Sequence, residues 1–439
     1  MKKHLWLLLP FISFFASCTT KENTSAIQDP GIFHQSVKAI TDIIVHDIFS
    51  PPVASRIYVY SSIAAYEAGR WQDSSTLSLA GQLHELKTFP QPKSGEKLCF
   101  PCAATLAFLK IGKALTFSED SIQLQIDAVK KHYKSLGVDH KVLQNSEEFA
   151  DKTVSHVLEW AGKDNYKQTR SFPKYSLEKD PATWKPTPPG YMDGIEPSWN
   201  KIRTFVIDSA QMFAPPPPTP YNITDQNSQF YQEVMEVYQT VKNLNQEQKD
   251  IANFWDCNPY KLNITGHVMH AVKKITPGGH WINIVHVASE KADADFITSL
   301  KSYALVSLCL ADGFISCWDE KYRSRYVRPE TVINEFVDQQ WLPLLQTPPF
   351  PEYTSGHSVI SNAAAEAMTK LYGENFSFVD STEIEFGLSA RSFRSFYHAA
   401  DEAAISRLYG GIHFKPAIVN GSEQGKKLGK YIVEKIKFE

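Results

Sequence analysis

Apolar residues recur at every third or fourth position through most of the chain, while the strict alternation of half-buried strands is scarce. This rhythm predicts helices over residues 35–49, 53–70, 103–115, 121–136 and 142–161. It then breaks: residues 173–220 hold 11 of the 26 prolines, four of them consecutive at 215–218. Proline lacks the amide hydrogen that a helix needs, so this stretch reads as extended chain wrapping the body. Helical rhythm resumes over 230–244, 246–255, 267–275, 293–315, 358–372, 389–408 and 422–436. The fold class expected is all-α, with a Pro-rich connector joining two helical halves.

The first residues follow another pattern. Lys2 and Lys3 precede an apolar run over 5–15, too short to span a bilayer but suited to an export signal. It ends Phe15-Ala16-Ser17-Cys18, which resembles a bacterial lipobox with cleavage before Cys18 and lipid attached there. Residues 1–17 are assigned as signal peptide and 18–32 as linker. The exported protein is expected as a membrane-anchored lipoprotein of the periplasm, outer membrane or cell surface. An ordinary cleaved signal would export it equally.

Composition narrows the classes. The 439 residues are 43% hydrophobic and 21% charged, enough to bury a large core and, by length alone, about three domains. A net charge of −3 without a basic tail argues against nucleic-acid binding. No internal stretch has the 18 or so consecutive apolar residues of a membrane span. Beyond Cys18 the cysteines are Cys99, Cys102, Cys257, Cys309 and Cys317, too sparse for disulfides to hold the fold. Cys99 and Cys102 form a CxxC without the βαβ pattern of a thioredoxin site, which leaves a local disulfide or two inert thiols.

Three segments carry chemistry. In the first, Lys321 and Arg328 lie seven apart and would share a face if the helix continued, although Pro329 places the arginine where the helix ends. Arg323 and Arg325 beside them read as solvated surface. In the second, Thr354-Ser355-Gly356-His357 opens a helix, where free amides and the positive dipole end favour an anion and His357 can exchange protons with it. By itself this is a helix cap. In the third, Ser406-Arg407 ends a helix at Gly410-Gly411, which turns the chain to present His413. Lysine and arginines aimed at one spot require an anion between them.

In this order, KxxxxxxRP, SGH and SRxxxxxH resemble the signature shared by type 2 phosphatidic-acid phosphatases and vanadium-dependent haloperoxidases. The lead-ins Asp312-Gly-Phe-Ile-Ser-Cys-Trp318-Asp-Glu-Lys321 and Pro348-Pro-Phe350-Pro351-Glu-Tyr353-Thr-Ser355-Gly-His357 are more similar to the haloperoxidases, in character the bacterial iodoperoxidase-like members. The resemblance implies two packed four-helix bundles forming one domain over 33–439. Its helical N-terminal half is 33–172, its connector 173–220 and its catalytic half 221–439. It implies vanadate as cofactor, held by Lys321, Arg328, Ser355, Gly356, His357 and Arg407. His413 would be the axial vanadium ligand and His357 the acid–base residue. Trp318 and Phe350 would wall the halide pocket, Phe350 standing where many bromide enzymes have histidine. Asp256 falls near a family aspartate that pairs with the arginine of SRxxxxxH, and Tyr260 would line the pocket by its closeness to Asp256. Ala417 replaces a common aspartate four residues after the histidine, which puts the support of His413 in question.

The implied activity is oxidation of halide by hydrogen peroxide to hypohalous acid, with iodide the favoured halide. The runner-up is an acid phosphatase in which His413 forms a phosphohistidine and His357 protonates the leaving group. A third class is a surface lipoprotein that binds oxyanions without turnover. His267 and His270 are spaced for a helical metal pair but lack a third ligand, and His280 reads as the cap of a helix after Pro277-Gly-Gly.

Overall fold

The computed structural model describes residues 23–265 and 268–439, so the signal and lipidation assignments at Cys18 lie outside the described residues. A short α1 (Thr24–Gln28) leads into a bundle of α2 (Gly31–His46), α3 (Pro51–Gly69), α4 (Phe100–Leu115), α5 (Glu119–Ser135) and α6 (His140–Ala161). Serine and proline chemistry starts α3. Ser50 accepts from the Val53 amide, and Pro51-Pro52 sit where a missing N–H costs nothing. After α7 (Tyr166–Thr169) and the connector come α8 (Gln229–Lys242) and α9 (Gln246–Phe254), then the hairpin of β1 (Leu262–Thr265) and β2 (Val268–Ala271). The second bundle follows: α10 (Pro277–Lys291), α11 (Phe296–Ser324), the short α12 (Pro329–Phe336), α13 (Gly356–Tyr372), α14 (Phe396–Tyr409) and α15 (Lys415–Lys435). A small hairpin, β3 (Phe378–Asp380) with β4 (Arg391–Phe393), separates α13 from α14.

Helix α11 joins the bundles, packing on α3 of the first and on α10, α13 and α15 of the second. It is long and apolar enough by composition to cross a membrane, but 94% of its most apolar window is buried in protein. It is the core helix. One continuous apolar cluster runs from Phe33 through Tyr58, Leu106 and Phe314 to Ile432, spanning both halves.

Three expectations fail here. The helix expected over 267–275 is replaced by the β1–β2 hairpin, because Ile264, Thr265 and Val268 favour extended backbone more strongly than the apolar spacing favours helix. His267 lies outside the described residues, and His270 lies in β2 rather than on a helix. Second, α10 begins at Pro277 with Thr276 as its cap, so His280 is inside the first turn rather than capping it. Proline there is a starting residue, not a breaker. The helix expected from 389 starts instead at Phe396, after β4.

The connector runs along α11 and is bonded to it. The Asp312 carboxylate accepts the amides of Phe205, Val206 and Ile207 at 2.7, 2.8 and 3.0 Å. The Ile195 carbonyl accepts from Trp318 Nε1 at 3.1 Å and from Tyr322 OH at 2.6 Å. Proline-rich chain thus finds acceptors and donors on a helix rather than in a sheet.

Helix α15 lies tightly against α13 because glycine recurs every fourth residue along the seam. A Cβ at Gly425 would sit 2.1 Å from the Val359 carbonyl oxygen, and one at Gly429 2.8 Å from Ala363 Cα. In an exposed helix, Gly→Ala raises stability by about 1 kcal/mol. Here Gly425→Ala is expected to lower it by about 1–3 kcal/mol through overpacking. Thermal or denaturant unfolding of the variant measures the sign.

Candidate active site

The last turns of α11 carry Trp318 and Lys321 one turn apart, both buried. The helix stops at Arg325, whose φ of 50° turns the chain, and Arg328 becomes the extended N-cap residue of α12, as Pro329 requires. Lys321 and Arg328 therefore do not share a helix face; the turn brings them together instead. Lys321 Nζ donates to the carbonyls of Pro351 and Glu352 at 3.0 Å each and to that of Thr354. Arg328 donates to the carbonyls of Phe350 (3.0 Å) and Ile412 (2.8 Å) and to His413 Nε2 (3.1 Å). Arg323 and Arg325 pair outward with Asp319, Glu320 and Glu178.

Ser355 caps α13, its Oγ accepting from the Ser358 amide at 3.3 Å, so Gly356 and His357 form the first turn. A Cβ on Gly356 would meet only Trp318, at an ordinary 3.7 Å. The protein's own packing does not demand glycine there. The ring of His357 is hydrogen-bonded to the Trp255 backbone, whose carbonyl also accepts from Arg407 Nη2 at 2.7 Å. His357 Nε2 is shielded from solvent and has no hydrogen-bond partner among the described residues.

Arg407 ends α14, and Gly411, at φ 76°, swings the chain so that His413 faces back. His413 Nδ1 lies 2.8 Å from Glu352 Oε1, which also accepts the Phe414 amide at 2.9 Å. Arginine can only donate, so the nitrogen beside Arg328 must be an acceptor. His413 is thereby fixed with the proton on Nδ1 and the lone pair on Nε2. Glu352 supplies the support that the alanine at 417 put in question. Ala417 is buried in the first turn of α15, and its carbonyl accepts the Ser355 amide. Sequence reading passed over Glu352, although a carboxylate set in the apolar run Pro348–Tyr353 was a visible signal.

Charge dominates the site. Lys321, Arg328 and Arg407 are at most 1% exposed, and none forms an ion pair with a carboxylate among the described residues. Burial pulls Lys321 down to about 8 and the two arginines down to about 10, so all three remain cationic at neutral pH. Burial and the adjoining cations hold His357 and His413 well below the usual imidazole range, hence neutral. Burial pushes Glu352 up to about 8 against the pull of Arg328 and Lys321. Arg328 Nη2 is a buried donor with no acceptor among the described residues. Three desolvated cations, an orphan guanidinium nitrogen and an unpaired imidazole nitrogen make a cavity that fits a multivalent oxyanion.

The cavity is walled by Trp318, Phe350, Tyr260, Phe314 and Pro348 and floored by Gly356, His357, Arg407 and His413. Lys321, Arg328 and Ser355 stand behind that floor. The rings of Trp318 and Phe350 lie 4.9 Å apart, with Lys321 Nζ and Arg328 Cζ 5.1 and 5.2 Å from the Phe350 centroid. Asp256 also borders the cavity but does not pair with Arg407. It bonds Lys261 (3.0 Å) and Lys274 (2.8 Å), and it reaches Arg407 only through space.

Residues 301–438 match the family described as the VCPO second helical-bundle domain. Over 93% of this chain and 97% of the other, the structure superposes on a bacterial vanadium-dependent iodoperoxidase with a TM-score of 0.88 and 47% identity. This chain belongs to the vanadium-dependent haloperoxidases. Holo-type and apo-type bacterial vanadium-dependent chloroperoxidases share the fold at TM-scores of 0.66 and 0.62. They are 16% and 17% identical, covering 95% and 88% of this chain and 96% and 94% of theirs. No curated protein matches. The ends of α11, α13 and α14 meet at this cavity, bringing Trp318 and Lys321, Gly356 and His357, and Arg407 to it respectively.

With Arg328 donating to Nε2, nitrogen-15 shifts of the His413 ring will report a single Nδ1–H form in the wild type. Glu352→Leu should keep that tautomer but strip the Nδ1–H of its acceptor, lowering stability in denaturant unfolding by about 1–3 kcal/mol.

Proposed function

We propose that this protein is a vanadate-dependent peroxidase that oxidises halide, iodide best, with hydrogen peroxide to hypohalous acid. The observation that carries this reading is the set of three buried, carboxylate-free cations around a histidine whose Nε2 lone pair is fixed. Lys321, Arg328, Arg407 and the Gly356 amide would hold the oxygens of vanadate, Ser355 standing at the same helix start, and His413 Nε2 would be its one direct protein ligand to vanadium. Bound vanadate supplies a Lewis-acid centre that makes peroxide oxygen electrophilic without itself changing oxidation state. The residues do the rest. The cations neutralise the oxyanion and withdraw charge from it. Neutral His357, with Nε2 free, accepts a proton from incoming peroxide and returns it to the departing oxygen. Negative charge in the cavity opposes the cations that depress His357, which favours its taking that proton.

Trp318 and Phe350 offer halide an apolar wall with no hydrogen-bond donor beyond the indole N–H, which is spent on Ile195. Stripping water from a small anion costs most, so iodide enters at least cost and chloride at greatest. The relative at 47% identity is an iodoperoxidase. The same cage suits phosphate, but the Trp318–Phe350 wall favours the halide reading over a phosphatase. The order of charged, apolar and small residues before Cys18 supports export with lipid at that cysteine, which mass spectrometry of the mature N-terminus tests.

Purified protein, with and without orthovanadate, should oxidise iodide with peroxide only when vanadate is present, and should leave a phosphomonoester intact. Vanadate-inhibited phosphoester cleavage without halide oxidation would reverse the assignment. His413→Ala is expected to abolish vanadate retention in equilibrium dialysis. His357→Ala should retain vanadate and lose most turnover; equal losses of binding in both would show the roles are misassigned. Phe350→His adds a donor to the pocket and is expected to raise the bromide-to-iodide ratio of kcat/KM.

A further inference from the structure

Beside the cavity, with Cys257 as one of its lining residues, lies a second cluster that the proposed reaction does not use. Cys257 follows α9, His280 sits in the first turn of α10, Asp380 ends β3 and Glu383 follows it. All four are buried. Cys257 Sγ lies 3.4 Å from His280 Nδ1 and 3.9 Å from Glu383 Oε1, and the latter two atoms are 3.3 Å apart. On the other side of the ring, His280 Nε2 is 2.7 Å from Asp380 Oδ2. We propose that Cys257, His280 and Glu383 bind a divalent cation of the zinc class, with Asp380 orienting the histidine.

Geometry is the first argument. Tetrahedral zinc with one sulfur, one nitrogen and one oxygen ligand places those atoms roughly 3.3–3.6 Å apart. Two of the three separations here match and the third is a few tenths longer. The second argument is charge. Two buried carboxylates and a thiol face a single imidazole, and among the described residues neither carboxylate forms an ion pair with lysine or arginine. The cluster is short of positive charge. The third argument is the second carboxylate. Asp380 Oδ2 lies 2.7 Å from His280 Nε2, while Cys257 and Glu383 face Nδ1 of the same ring. A carboxylate–histidine–metal relay has this layout.

The donor set also fixes the class of ligand. Thiolate with imidazole favours zinc, cobalt or copper over magnesium or calcium, which prefer all-oxygen sites. An oxyanion would be repelled by Glu383 and Asp380, so this is not a second vanadate site. Binding replaces the Cys257 S–H bond with a sulfur–metal bond and releases the proton to solvent. The cation would cross-link the segment after α9 to α10 and to the β3 hairpin. Trp255 stacks on His280 with centroids 4.6 Å apart, and its backbone steadies both Arg407 and His357. The metal is thus a positioning element for the active-site floor.

Full-length protein stripped with chelator is titrated with cobalt(II). About one cobalt per chain is expected, with a thiolate-to-cobalt charge-transfer band in the near ultraviolet that zinc(II) abolishes by displacement. Cys257→Ser should lose the band, and Asp380→Asn should weaken cobalt binding about 10–100-fold. His413→Ala, which tests the vanadate reading, should keep the band, as should wild type with added orthovanadate. Zinc should raise the Tm of stripped wild type. No charge-transfer band in wild type would overturn the proposal, whatever the variants do, and would mean that a protonated His280 bridges the carboxylates. Persistence of the band in folded Cys257→Ser, or its loss on adding orthovanadate, would equally overturn it. Should Cys257→Ser not fold, the band in wild type and its weakening in Asp380→Asn carry the test.

Discussion

Three positive charges held out of water around one cavity set the terms for the rest of this molecule. Lys321, Arg328 and Arg407 repel one another, and each has lost its hydration. Burying one such charge costs several kcal/mol even after relaxation, so the fold must supply compensation from elsewhere. It does so mainly with backbone carbonyls, those of Phe350, Pro351, Glu352 and Thr354 on one strand-like segment and those of Trp255 and Ile412 opposite. Carbonyl dipoles hold a cation without cancelling it. The charge stays available to an incoming oxyanion, which is the electrostatic preorganisation that catalysis at such a site requires.

Holding that arrangement demands rigid elements around it. The start of α13 is held by the bond from the Ser355 amide to the Ala417 carbonyl, and the glycine seam lets α15 lie close along α13. The connector pins the other side, because Asp312 and the Ile195 carbonyl fix the face of α11 from which Trp318 and Lys321 project. A rigid shell matters because His413 has one useful tautomer, and that tautomer depends on distances to Glu352 and Arg328 that a loose loop would not keep.

The two charge clusters near Trp255 are complementary in sign. On one side the cavity gathers cations that form no ion pair with a carboxylate among the described residues, and beside it Cys257, Asp380 and Glu383 gather acidic groups with one imidazole. Cys257 lines the cavity, so the two clusters adjoin. Trp255 stacks on His280 while its carbonyl serves Arg407, so the position of one cluster is transmitted to the other through one backbone segment.

Much of this was legible in sequence because it is local. Helical rhythm located most helices to within a few residues, proline density located the connector, and the caps and glycines at Ser355-Gly356 and Gly410-Gly411 marked where chain direction changes. The spacing of KxxxxxxRP, SGH and SRxxxxxH was specific enough to name the family. What sequence left open depended on distance in space rather than along the chain. Glu352 and His413 are 61 positions apart, so nothing local announced that one carboxylate replaces the support missing at Ala417. Asp256 stood at a plausible spacing for Arg407, yet two lysines drawn in by the fold claim it. His280 looked like a cap because Asp380, its partner, is 100 positions away. A short window decides backbone conformation, because φ, ψ and capping are set by near neighbours. The partner of a buried charge is decided only when the core closes and desolvation makes every unpaired group costly.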